Sequence, residues 1–304
     1  MEETLNRSKI LLETGTNELE IMVFTIYGEL YGINVAKVKE IMMSDEVKPM
    51  PHAHPSIEGI FKPRGTLMTV VDLPFYLTGR PTEKSSRDLF IVTGFNKMHT
   101  AFRVNTVEGI SRISWADIQK PDKSISGGDD GVATGITQCD GRLVSILDFE
   151  KITADISPAT SIQMEEIDRL GKRDERNYNI VVAEDSILLS KMIQQALIKA
   201  GYKNLEIFNN GQEAWDYLRT EGRKPGVVDL VITDIEMPKM DGHRLTKLVK
   251  GDKELKHIPI VIFSSLIDEE MYRKGKAVGA DEQLSKPEIG HLVEILDCLL
   301  EKGK

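Results

Sequence analysis

Five polar residues in the second half of the chain each come directly after a predicted β-strand. They are Glu184, Asp185, Asp234, Ser264 and Lys286. Because the carboxyl ends of parallel strands meet at one edge of an open α/β sheet, these side chains are expected to converge on one crevice. Clustered carboxylates repel one another, and a hard divalent cation such as Mg²⁺ relieves that repulsion through oxygen ligands. A carboxylate at such a site can be a metal ligand, a base or a nucleophile.

The companion residues favour phosphoryl transfer to Asp234. A carboxylate nucleophile can form an aspartyl phosphate, and transfer then depends on positioning and on neutralising oxygen charge. Lys286 can supply that charge, and the Ser264 hydroxyl can hydrogen-bond a phosphoryl oxygen, which would move its loop. Each residue alone also has an ordinary structural interpretation, such as a helix start for Glu184-Asp185 or a strand-end cap for Ser264. Five such residues in order are hard to obtain by accident.

The elements that must position these residues alternate between strand and helix. Ser186 is a predicted helix cap, and apolar residues recur after it at helical spacing from Leu189 to Ala200. The last helix is predicted over residues 289–300. The pattern predicts a doubly wound, five-stranded parallel sheet with five helices. The predicted strands are residues 180–183, 205–208, 228–233, 260–263 and 282–285.

The first half of the chain has a different texture. Short β-type runs separated by turns with Gly or Pro predict an all-β barrel or sandwich. One segment, from Val35 to Met42, has apolar residues at helical spacing and is predicted as a helix. The β-type runs are residues 19–27, 67–71, 89–93, 100–104 and 143–147.

The 304 residues are enough for two domains, each with its own core. We predict an N-terminal segment over residues 1–17, a β-rich domain over 18–155, a linker with a short central helix over 156–177, and an α/β domain over 178–304. The net charge of −9 argues against nucleic-acid binding. Two unpaired cysteines, an acidic start and no long apolar run indicate a cytoplasmic protein that reaches a membrane only through partners.

Residues 178–304 resemble a response-regulator receiver domain. The resemblance rests on the strand-end residues above, on Lys286-Pro287, and on the loop sequence Met-Pro-Lys-Met-Asp-Gly at 237–242. It implies that Asp234 is the phosphoacceptor. It also implies Mg²⁺ bound by Asp185, Asp234 and the backbone carbonyl of Glu236, with Glu184 helping directly or through water.

Two positions depart from the usual receiver pattern. Gln283 stands where receivers usually have an aromatic switch residue, so the route of output is open. Glu236 puts a carboxylate near the phosphoryl group, and we expect it to alter the rate of dephosphorylation.

Residues 18–155 resemble the CheW family of chemotaxis coupling proteins, through the stretches 31–41 and 57–73. The resemblance implies two interlocked five-stranded β-barrels that bind the histidine kinase CheA and the tips of chemoreceptors. By position, Val38 and Glu40 would face the kinase and Arg64 the receptor. Alternatively, Val38 belongs to the core and Arg64 pairs with an acid such as Asp72.

Together the two domains resemble the CheV family. The resemblance implies a coupling scaffold between chemoreceptors and CheA that is adjusted by phosphorylation of Asp234 and is not an enzyme. The alternative is a phosphate sink that drains phosphoryl groups from CheA. A phosphatase of the haloacid-dehalogenase type is disfavoured, because that family has Asp-x-Asp where Asp234-Ile235-Glu236 stands. A DNA-binding regulator is also disfavoured, because the chain ends soon after the last predicted helix and shows no basic domain.

Overall fold

The computed structural model describes residues 18–95, 98–120, 131–157, 164–171, 173–267, 269–286 and 288–302. The predicted N-terminal segment and Pro287 lie outside this part of the chain. Within it, no helix is long and apolar enough to cross a membrane.

The first domain contains ten strands within the described residues: β1 Glu18–Ile26, β2 Glu29–Asn34, β3 Val38–Met43, β4 Ile57–Phe61, β5 Met68–Val71, β6 Leu89–Phe95, β7 Met98–Val104, β8 Thr106–Ser114, β9 Ala133–Cys139 and β10 Arg142–Leu147. They form two five-stranded sheets, with strand orders β8-β1-β2-β10-β9 and β3-β6-β7-β5-β4. Its helices are α1 Leu73–Thr78 and α2 Phe149–Ile156, with single 3₁₀ turns at Val35–Lys37, Pro63–Gly65 and Trp115–Asp117.

Strand β1 is buried on both of its faces. Because side chains alternate along a strand, Ile21 and Val23 pack into one core while Phe24 and Ile26 pack into another. The second core also takes residues from the other sheet, including Phe102 of β7. Burial on both faces explains why the residues of β1 from Ile21 to Phe24 are all apolar.

The predicted helix from Val35 to Met42 is wrong. Residues Val35–Lys37 form only one 3₁₀ turn, and Val38–Met43 then form the edge strand β3, paired antiparallel with β6. The backbone of this segment completes a sheet, and that tertiary pairing overrides the helical spacing of its apolar residues. Ile41 is accordingly 42% exposed rather than part of a helix's buried face.

The second domain is a parallel sheet with helices on both faces. Its elements are β11 Arg176–Ala183, α4 Ile187–Lys199, β12 Tyr202–Phe208, α5 Gly211–Thr220, β13 Leu230–Thr233, α6 Gly242–Gly251, β14 Ile260–Ser264, α7 Glu269–Val278, β15 Glu282–Ser285 and α8 Ile289–Lys302. The strand order is β12-β11-β13-β14-β15, and helices α4 and α8 cover one face while α5 and α6 cover the other. The doubly wound sheet with five helices is therefore confirmed.

A short helix, α3 Met164–Arg169, lies between the two sheet systems in sequence and packs against the second. Ile167 is 2% exposed in the core that α4 and α8 share. The Glu166 carboxylate accepts a hydrogen bond from the Gly290 amide at 2.9 Å, at the start of α8. This part of the predicted linker is therefore fixed against the α/β domain.

Candidate functional site

Three carboxylates meet at the carboxyl edge of the parallel sheet. Glu184 and Asp185 follow β11, and Asp234 follows the neighbouring strand β13. One carboxylate oxygen from each residue lies within 4.8 Å of those from the other two. The crevice predicted from the strand order is thus present.

Lys286, at the end of β15, reaches into the same cluster. Its Nζ donates hydrogen bonds to Glu184 Oε2 at 2.7 Å and to Asp234 Oδ2 at 3.0 Å. The three side chains are between 2% and 8% exposed. Although burial disfavours the ammonium form, the charges of Asp234 and Glu184 raise the pKa of Lys286 above its usual value. Lys286 therefore stays charged beside the acceptor.

Glu184 and Asp185 both ionise less readily than free carboxyl groups. Burial raises the pKa of Glu184 well above its usual value, and the ammonium of Lys286 offsets only part of this effect. Burial and then the charge of Asp234 raise the pKa of Asp185 to about 7. Because one ammonium faces three carboxylates, the donor set fits a divalent cation with oxygen ligands.

The loop after Asp234 is shaped by its sequence. Met237 and Met240 are buried in the core, and Asp241 caps α6 by accepting a hydrogen bond from the Arg244 amide at 2.8 Å. Gly242 is required by close approach, because a Cβ there would lie 1.9 Å from the Asp234 carbonyl oxygen. The motif therefore holds the backbone of the acceptor in place.

Ser264 ends β14, the strand between β13 and β15, and is fully buried. Its Oγ accepts a hydrogen bond from the Leu266 amide at 3.4 Å. All five sequence-predicted residues of the α/β domain thus lie at one sheet edge, and Asp234, Lys286 and Glu184 are in direct contact.

Residues of the first domain cover this edge, which the sequence did not indicate. Asn34 Nδ2 donates a hydrogen bond to Glu236 Oε1, and Lys37 Nζ lies 3.4 Å from Glu236 Oε2. Lys37 also pairs with Glu150 Oε1 at 2.8 Å. Burial, assisted by the charges of Glu150 and Asp234, raises the pKa of Glu236 to about 7 against the opposing charge of Lys37.

The pKa of Glu150 moves in the opposite direction from that of Glu236. Although burial would raise its pKa, the ammonium groups of Lys37 and Lys286 lower the pKa of Glu150 to about 2. Although partial burial disfavours its ammonium form, the charges of Glu150 and Glu236 raise the pKa of Lys37 well above its usual value. A charged network therefore joins the first domain to the strand-end cluster.

Gln283 is tied to its neighbouring helix. Its Nε2 donates a hydrogen bond to the Tyr272 carbonyl of α7 at 2.8 Å. A Cβ at Gly275 would lie 2.0 Å from Gln283 Oε1, so this amide packs closely on α7. The Gln283 side chain, at the position where receivers usually have an aromatic residue, is thus held against α7.

The three residues predicted to bind partners lie around β3. Glu40 and Arg64 line one groove together with Met42 and Phe61. Val38 is half-buried and packs against the core shared by the two sheets. Asp72, considered as a partner for Arg64, instead caps α1 by accepting a hydrogen bond from the Phe75 amide at 3.0 Å.

Comparison with known families agrees with this architecture. Residues 20–157 match the CheW-like domain, and residues 180–297 match the response regulator receiver domain. The β-rich half and the α/β half are therefore a CheW-like domain and a receiver domain. Receiver domains bind Mg²⁺ in general, and the acidic cluster described above lies within this one.

Several relatives match the chain over nearly its whole length. The chain is 28% identical over 321 residues to the chemotaxis protein CheV3 of Helicobacter pylori, covering 99% of both chains. It is 29% identical to CheV2 of the same organism, over 92% of this chain and 94% of the relative. It is also 38% identical over 111 residues to the chemotaxis protein CheY of Treponema pallidum, covering 36% of this chain and 73% of that protein. The chain belongs to the CheV family, in which a CheW-like domain is joined to a receiver domain.

Proposed function

We propose that this protein couples chemoreceptors to the histidine kinase CheA and that phosphorylation of Asp234 adjusts the coupling. The observation that carries the proposal is the contact of the buried Lys286 ammonium with Asp234 and Glu184, in a chain that also has a CheW-like domain. A strand-end carboxylate held by a buried lysine suits acceptance of a phosphoryl group, because transfer depends on fixed positions and compensating charge.

Each residue of the site has a role in this scheme. Asp234 accepts the phosphoryl group, Lys286 neutralises one of its oxygens and Ser264 donates a hydrogen bond to another. Asp185, Asp234 and the backbone carbonyl of Glu236 would hold Mg²⁺, with Glu184 assisting. Bound Mg²⁺ would neutralise negative charge on the phosphoryl oxygens. The domain acts only on its own aspartate, so the protein is a signalling scaffold rather than an enzyme with a metabolite substrate.

The CheW-like domain would bind the protein partners. We assign Val38 and Glu40 to the surface that meets CheA and Arg64 to the surface that meets the receptor tips. Phosphohistidine on CheA is the donor for Asp234. The protein would then work in the cytoplasm, at receptor arrays, and would meet the membrane only through the receptors.

A reconstituted receptor–kinase assay tests the proposal. Full-length wild type and Asp234→Ala are added to receptors and CheA, with Asp216→Ala as the matched control, since the Asp216 side chain on α5 is 51% exposed. We expect all three proteins to couple, and only wild type and Asp216→Ala to change kinase output upon phosphorylation. If no protein couples, the scaffold role is wrong. If the proteins accept phosphoryl groups but kinase output in the complexes never responds, a phosphate sink is the better description.

A further inference from the structure

The three residues that end β14 and begin the following loop connect the candidate phosphorylation site to the first domain. We call residues Ser264, Ser265 and Leu266 the 264–266 loop. Ser264 lies at the sheet edge with Asp234, whereas its two successors make their contacts with the CheW-like domain. The loop therefore spans the boundary between the two domains.

Leu266 is the apolar part of this connection. It is 6% exposed and belongs to a core cluster whose other buried members, such as Phe149 and Ile152 of α2, come from the first domain. A receiver side chain is thus buried in the core of the other domain. Withdrawing it would expose both the leucine and the pocket that it fills.

Ser265 is the polar part of the connection. Its Oγ donates a hydrogen bond to Glu150 Oε1 at 2.7 Å, and the same oxygen pairs with Lys37 at 2.8 Å. Glu150 lies in the first turn of α2, next to Phe149. The loop therefore holds the start of one helix by a hydrogen bond and by apolar packing.

The hydroxyl of Ser264 restrains this loop. It accepts a hydrogen bond from the Leu266 amide at 3.4 Å, so its present orientation supports the position of Leu266. If the hydroxyl turns toward a phosphoryl oxygen on Asp234, it gives up that hydrogen bond. The Leu266 amide then loses this restraint on its position, with Ser265 between the two residues.

We propose that the 264–266 loop is the output element of the receiver, and that phosphorylation of Asp234 withdraws Ser265 and Leu266 from α2 of the CheW-like domain. This inference rests on the proposed function, since it takes Asp234 as the phosphoacceptor. It supplies a route of output that does not need an aromatic ring at Gln283, which is hydrogen-bonded to α7. The phosphoryl charge acts in the same direction, because Glu236 and Glu150 already face this site.

Hydrogen exchange on the full-length chain tests the inference. Beryllofluoride with Mg²⁺ serves as the phosphoryl analogue, and fluorine NMR reports whether it is bound. We expect the amides of α2 to exchange about fivefold faster or more when it is bound, as for the loss of one hydrogen bond. Asp234→Ala should show neither bound beryllofluoride nor the change in exchange.

Variants separate the loop from other routes. Leu266→Ala should bind beryllofluoride normally, exchange rapidly in α2 without it and show no further increase with it. Ser265→Ala should show the same pattern to a smaller degree. Ile198→Ala, which shortens a 46% exposed aliphatic side chain on α4, is the matched control and should behave as wild type.

The outcomes distinguish a failure of the role proposed for the 264–266 loop from a failure of the proposed function. Bound beryllofluoride with unchanged exchange in α2 would overturn the role of the loop and leave Asp234 as the phosphoacceptor. A wild-type response retained in Leu266→Ala would also overturn it. If wild-type protein binds no beryllofluoride and accepts no phosphoryl group, the proposed function is wrong and the inference falls with it.

Discussion

Replacing Lys286 with Met should expose how strongly the strand-end carboxylates depend on one ammonium group. Lys286 is 2% exposed and contacts Glu184 at 2.7 Å and Asp234 at 3.0 Å. Met has a similar length and no charge, so the substitution removes the cation with little change in volume. The carboxylates then remain buried without their compensating charge.

The expected loss follows from this burial. Removing one partner of a buried ion pair costs about 3–5 kcal/mol, whereas an exposed pair contributes about 1 kcal/mol or less. Protonation relieves part of the cost, since the pKa of Asp185 is already raised to about 7. We therefore expect Lys286→Met to lower the free energy of unfolding of the receiver by about 3 kcal/mol at pH 7.5, and by less at pH 5.5.

Urea unfolding of the full-length chain measures this loss. The chain has two tryptophans, one in each domain, so Trp115→Phe leaves Trp215 of α5 as the fluorescent reporter of the receiver. Millimolar Mg²⁺ should restore part of the lost stability, because the ion replaces the missing positive charge. Phosphorylation of Asp234 should be lost as well.

The matched control is Lys250→Met. Lys250 pairs with Asp281 at 2.7 Å and is 17% exposed, but this pair is separate from the acidic cluster. Lys250 also donates a hydrogen bond to the Ile258 carbonyl at 2.8 Å, so we expect a loss of about 1–2 kcal/mol and no recovery with Mg²⁺. The reasoning would be refuted if Lys286→Met lost no more stability than this control, or if Mg²⁺ stabilised both variants equally.

Three further predictions follow from the same geometry. The folded-state pKa of Glu150 is about 2, below its unfolded value, so the stability that Glu150 contributes is complete above about pH 4.5 and is lost as the pH falls toward 2. Glu150→Gln should therefore lower the free energy of unfolding by at most about 3 kcal/mol at pH 7. In urea titrations followed through Trp115, the difference from wild type should shrink below about pH 4. Glu236→Asn removes a carboxylate that contacts Asn34 and Lys37, so water should reach phosphorylated Asp234 more easily. The lifetime of the aspartyl phosphate in a dephosphorylation assay should then shorten severalfold. A lifetime equal to that of the exposed control Glu254→Gln would contradict this expectation. Gly242→Ala would place a methyl group 1.9 Å from the Asp234 carbonyl oxygen, so the backbone of the acceptor must shift. Phosphorylation by a small donor should therefore slow at least about tenfold. Wild-type kinetics would show that the loop adjusts without moving the acceptor.

The sequence predicted the receiver sheet because its strands are buried on both faces. Val181 and Ala183 pack on one side of β11, and Ile180 and Val182 pack on the other, which gives a short, continuous apolar run. Each run ends where the backbone leaves the sheet, and the polar residues come next. Chain order alone was therefore enough to place Asp234 and Lys286 at one edge.

The β-rich half was harder to predict, because an edge strand carries few buried residues. Within β3 no side chain is fully buried, so the alternation typical of a half-buried strand is absent. The apolar residues Val35, Val38, Ile41 and Met42 instead recur at helical spacing. Only the pairing of this segment with β6 shows what it is, and that pairing is a tertiary contact.

The contacts between the domains had no local signal. Asn34 and Glu236 are 202 residues apart, and Ser265 and Glu150 are 115 apart. Lys37 lies in a stretch that resembles the CheW family, but its charge could equally have faced solvent. Such pairs can be found only when both domains are placed together, because neither partner needs the other for its own secondary structure.

The contact through the 264–266 loop is small, and a small contact is what a reversible switch requires. A ligand can shift an equilibrium only by as much as its affinities for the two states differ, and reversing a ratio of 99:1 takes about 5.5 kcal/mol. One buried leucine contributes about 1.5–3 kcal/mol, and a partly buried hydrogen bond adds about 1 kcal/mol. Because both domains belong to one chain, their high effective concentration helps this contact, together with those of Asn34 and Lys37 with Glu236, to hold them together. A much larger interface would dock the receiver permanently, and phosphorylation of Asp234 could not then release it.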